Sequence, residues 1–238
     1  MIRKREMRST CIALALLAAS SVPVLAGPPL VCHRLDIGSA RSLPWGTDSA
    51  SWDQTLASYN LANLAGETLA LLSPQTPVIV RMETIRRAAI YARRSPGTAK
   101  ELILKLSARA HDAEAQGHPD ALAMFDYGYL IETTKEVGWA YHASEADGGQ
   151  SNVAMHLDGY PWVTRALAAG RGDPQMEFAA ALIVLERSDL KSHREHAQKA
   201  LAAEHADSLL ARNLTAFFTG TRGDTMTALL ARSAKAND

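Results

Sequence analysis

The sequence predicts an all-α protein of stacked antiparallel helical hairpins, a bundle or short solenoid of about eight to ten helices. Three observations predict it. Apolar residues recur at i, i+3, i+4 and i+7 through most of the chain from about Ser51 onward. Proline or a capping residue opens most of these runs, and glycine closes several of them. Alternating β-branched runs bounded by turns are nearly absent, and Val78-Ile79-Val80 is absorbed by the helical period around it. The composition agrees: of 238 residues 47% are apolar and 21% charged, as in ordinary globular proteins.

The first 26 residues read as a cleaved secretory signal peptide. Arg3, Lys4, Arg5 and Arg8 precede an apolar run, and Val24-Leu25-Ala26 offers small residues to a signal peptidase. The run is shorter than the ~20 residues a membrane span needs, and Pro23 breaks it. The expected location is therefore the periplasm or the exterior, without membrane insertion after cleavage. Cleavage would remove four of the 25 bases and one of the 25 acids, leaving 212 residues with a formal charge of −3. That balance excludes a globally basic nucleic-acid binder. Cys11 leaves with the leader, so Cys32 remains alone and no internal disulfide can form.

Residues 27–48 contain Pro28, Pro29 and Pro44 and show no helical period. They predict an extended N-terminal arm, lying over the domain on Leu30, Val31, Leu35 and Ile37 or hanging free. Residues 49–238 predict a single helical domain, with a loop at 143–158 between two helical halves. Thr76-Pro77 opens a helix striped by Val78, Met82, Ile85, Ala89 and Ala92. Pro96-Gly97 predicts a stop, and Thr98-Ala99-Lys100-Glu101 reads as a capping box ahead of Ala99, Leu102, Ile103, Leu106 and Ala110. His118-Pro119-Asp120 opens the next helix, with Leu122, Phe125 and Tyr129 on one face. In the second half Tyr160-Pro161 and Asp173-Pro174 start helices, residues 191–204 and 206–218 form two more, and Asp224 begins a short terminal one.

Residues 113–125 resemble the inter-helix turn of a tetratricopeptide-type hairpin, as do residues 168–178. The resemblance covers about a third of the chain, and the turns recur about every 50 residues where that repeat has 34. It implies a concave groove that takes a peptide or protein partner. Generic αα-hairpins have the same signature.

The densest candidate site is residues 137–162. Trp139, Tyr141, Tyr160 and Trp162 are four of the chain's 14 aromatics, and His142, His156 and Asp158 lie among them. Aromatic rings and histidines beside an acidic glycine-containing loop suit a ligand pocket between two helical halves, although large anchors would also serve to hold a long connection down. Two candidate metal groups stand elsewhere. Cys32-His33 brings a thiol next to an imidazole, although neighbours in an extended arm point to opposite sides. His193 and His196 lie three apart on one helix face, as a ligand pair or a packing stripe. Arg81, Arg86, Arg87, Arg93 and Arg94 read as a solvated face, with a small anionic partner as the alternative.

No Gly-rich phosphate loop, Gly-x-Ser-x-Gly elbow or His-Glu-x-x-His occurs in the chain. The expected function is that of a non-catalytic binding or scaffolding module without a cofactor, for a protein or peptide partner. The alternative is a periplasmic metal-binding protein or metal-dependent hydrolase, in which a divalent ion would sit on His/Asp residues near 142–158 and 193–196.

Overall fold

Helix α2 (Val78–Ala92) runs through the middle of the protein, and every residue of it except Arg87 is buried. The computed structural model describes residues 27–47, 51–142, 153–202 and 209–218. Around α2 stand α1 (Leu64–Leu71), α3 (Pro96–Ala115), α4 (Ala121–His142), α5 (Tyr160–Ala169), α6 (Pro174–Glu186), α7 (Leu190–Ala202) and α8 (Leu209–Phe218). The described residues contain no strand, so the protein is all-α. Helix α2 packs on α1, α3, α4 and α6, while α4–α5 and α6–α7 form the most extensive hairpins. The predicted terminal helix at Asp224 lies outside the described residues.

The helix starts follow local capping chemistry. Asp120 Oδ1 accepts from Leu122 N and Ala123 N ahead of α4, and Asp173 Oδ1 accepts from Gln175 N and Met176 N ahead of α6. Helix α3 corrects the expected capping box. Its cap is Ser95, whose Oγ accepts from Thr98 N at 3.3 Å, and Pro96 is its first helical residue rather than a stop. Helix also begins later than expected. Residues 51–60 are irregular and held by tertiary contacts, with Gly46 N donating to Gln54 O and Leu56 N to the Tyr91 hydroxyl.

Residues 27–47 are an integral part of the core. Leu30, Val31, Leu35 and Leu43 are buried, and Ile37 packs against them. An irregular segment buried this way must find partners for its backbone. Here α2, α4 and α8 supply them as side chains. Glu136 accepts from Leu30 N at 2.7 Å, Glu83 from Leu35 N at 3.1 Å and Asn213 from Asp36 N at 2.8 Å. Arg86 donates to Val31 O at 2.8 Å and Arg87 to Leu43 O at 2.7 Å, while the Tyr91 hydroxyl donates to Pro44 O.

These contacts overturn the solvated reading for Arg81, Arg86 and Arg87, while Arg93 is half-buried and Arg94 is exposed as expected. Arg81 and Arg86 have no exposed surface, and neither has Glu83. Arg86 Nε and Arg87 Nε both donate to Glu83 at 2.8 Å, one and just over one turn along the helix. Burial alone would raise the Glu83 carboxyl, but Arg86 and then Arg87 outweigh it and hold the group below its ordinary range. Trp45 of the arm covers both guanidiniums, with ring centroids 5.2 and 5.6 Å from them. Arg81 faces the other way, ion-paired to Asp126 of α4 at 2.5 Å and donating to Thr76 O and Ser73 O in the α1–α2 turn.

Candidate functional site

Two ionic groups converge where the later half of α4 meets residues 153–159 and the α5–α6–α7 helices. The first centres on Arg187, at the end of α6. It bonds Asp158 at 2.5 Å and Glu132 of α4 at 3.1 Å, and its guanidinium lies 5.2 Å from the Tyr160 ring centroid. Glu132 also accepts from Gly159 N at 2.6 Å and from Lys135 at 2.9 Å. The hydrogen bond from Arg187 holds the Asp158 carboxyl below its ordinary range.

The second group is a line of three side chains from α6, α7 and α5. Glu177 is buried, and its Oε2 meets His196 Nδ1. His196 Nε2 stands 2.9 Å from the Tyr160 hydroxyl, and Lys199 lies 3.4 Å from the other oxygen of Glu177. A carboxylate acceptor at Nδ1 fixes the imidazole proton there, which leaves Nε2 to accept the phenol proton. Burial raises the Tyr160 phenol above its ordinary value, so it keeps its proton at neutral pH. A carboxylate–imidazole–hydroxyl line can polarise a hydroxyl. It also satisfies a buried acid between three helices, and Tyr160 joins the two groups by touching Arg187 with its ring and His196 with its hydroxyl.

The predicted site residues separate. Asp158 and Tyr160 come together in this junction, joined by His196. Trp162 turns to another face, where it packs edge-on against His111 and Tyr127, at 4.8 and 5.0 Å between ring centroids, beneath Arg165 at 4.4 Å. Trp139 and His156 are exposed, and the side chains of Tyr141 and His142 lie outside the described residues. His193 is bonded through Nδ1 to Ala181 O at 2.8 Å and thus does not share the partners of His196. In the arm, Cys32 is a half-buried thiol and His33 packs on Phe217 at 5.6 Å. Among the described residues no three His, Cys, Asp or Glu side chains gather as a metal site.

Glu132, Glu177 and Arg187 were not singled out by sequence. Glu177 and Glu132 did carry a signal, each being an acid set in a largely apolar helical run, where burial demands a partner. The fold and this junction define a helical-hairpin protein with a polar joint among α4, α5, α6 and α7. No family model, no curated protein and no solved structure matches the chain. No described helix is long and apolar enough to cross a membrane.

Proposed function

We propose that the protein is an exported, non-catalytic binding module that takes a protein or peptide partner at the Arg187 junction, through apolar anchors. The observation behind this is the exposure of three large apolar side chains: Trp139 at 41%, Met155 at 52% and Leu190 at 54%. Trp139 stands on α4 and Met155 in residues 153–159, the two segments Arg187 bonds through Glu132 and Asp158, and Leu190 opens α7 three residues after Arg187. The charges at the centre of the junction, Arg187, Glu132, Asp158 and Lys135, are paired with one another, so apolar contact is what the exposed side chains around them add. Photo-crosslinking residues placed at 139, 155 and 190 in producing cells test the reading. A discrete adduct from these positions, absent from positions 101 and 104 on α3 and reduced by W139A in the 155 and 190 probes, is the expected outcome. Adducts that are absent, or equal from both faces, contradict it.

The competing proposal is a metal-binding protein or metal-dependent hydrolase. His196 is engaged at both nitrogens and His193 at Nδ1, which weakens it. A zinc-dependent rise in melting temperature that EDTA reverses and H156A abolishes would favour it.

A further inference from the structure

Glu136 is a buried carboxyl with no ion pair among the described residues. Leu30 N donates to its Oε2 and Val31 N also stabilises the carboxylate, while Oε1 is buried without a hydrogen-bond partner among the described residues. Burial pushes the group well up, and the largest charges acting on it, Glu186 and Glu132, are also acids. The Tyr129 hydroxyl is fully buried and lies within electrostatic reach of Glu136 as well. Buried acids without a counter-ion are costly to ionise.

A cation can be supplied at this place by the chain itself. Pro28 O accepts from Val31 N at 3.2 Å and from Cys32 N at 2.9 Å, so residues 28–32 form one helical turn. Glu136 caps the amino end of that turn through Leu30 N. The residue just before the turn is Gly27, in the left-handed region at φ +89, where a Cβ would lie 2.8 Å from Cys32 Sγ. Cys32 in turn lies within electrostatic reach of Glu136, Arg86 and Glu186. Gly27 is also the residue that cleavage after Ala26 would make amino-terminal.

We propose that the α-amino group of Gly27, freed by signal cleavage, docks on Glu136 with Glu186 beside it, so that processing locks the arm to α4. Water hydrolyses the Ala26–Gly27 amide, and the new amine takes up a proton as the Glu136 carboxyl gives one up. The inference rests on the export reading, and the test separates the two.

Three chains are compared: one beginning at Gly27 with a free amine, the same chain acetylated on that amine, and one that retains Ala26. The free Gly27 chain melts highest, and the advantage disappears in E136Q. Acetic anhydride labels the Gly27 amine more slowly in the native chain than in E136Q, by about tenfold for each unit by which docking raises the amine pKa. Equal melting of the three chains, an advantage that persists in E136Q, or equal labelling rates would overturn the docking. The intact mass of the exported protein addresses the leader separately: a chain that does not begin at Gly27 overturns the processing step, whatever the melting comparison shows.

Discussion

A methyl group on Gly159 would sit 2.1 Å from the backbone oxygen of Gly128, and one on Gly128 would sit 2.5 Å from that of Gly159. Helix α4 and the start of α5 touch backbone to backbone here, with Glu132 receiving Gly159 N one turn further along α4. Because the obstacle is backbone, G159A must push the two elements apart, and overpacking of this kind costs about 1–3 kcal/mol. Gly66, in α1, has open space around it, so G66A should stabilise by about 0.5–1 kcal/mol through helix propensity. Urea midpoints that shift in opposite directions check the pair. Nothing in the sequence singles out Gly159, since a close approach depends on which residue lies opposite. In the same way Tyr160 and His196 were both singled out, but as members of different groups. The Glu177 that joins His196 to its helix neighbours lies on a third element.

At the scale of elements, the proline and aspartate starts of α4, α5 and α6 were legible because a cap is a contact between near neighbours. The role of α2 was not. Glu83, Arg86 and Arg87 show ion-pair spacing in the sequence, yet that spacing fits a wet face as well as a dry one. What turns the face inward is a distant arm whose backbone needs donors and acceptors. Removing one member of a buried ion group leaves its partners uncompensated, at a cost of about 3–5 kcal/mol. E83A should therefore unfold at much lower urea than the native protein. L35A, which removes arm packing beside the Leu35–Glu83 hydrogen bond, should cost about 2–3 kcal/mol. If both variants keep the native midpoint, the arm contributes nothing to the core.

For the whole molecule, the buried acids set how stability depends on pH. Burial raises the Asp126 carboxyl from 3.8 to about 7, against the pull of Arg81 and Arg109. Such a group binds a proton on folding, so its contribution is present at low pH and is lost as pH rises through the folded value. Glu83 is lowered, and its contribution is lost only as pH falls below the ordinary carboxylate range. Melting followed by circular dichroism should therefore peak at mildly acidic pH and decline toward pH ~8, with a shallower decline in D126N. A melting temperature that rises steadily across this range contradicts the assignment. The most direct measurement of the account as a whole is amide hydrogen exchange at Leu30 and Leu35, whose N–H groups are bonded to Glu136 and Glu83. Protection matching that of α2 is predicted, because arm and central helix would open together. Exchange at free-peptide rates while α2 stays protected would show that the arm is no part of the core.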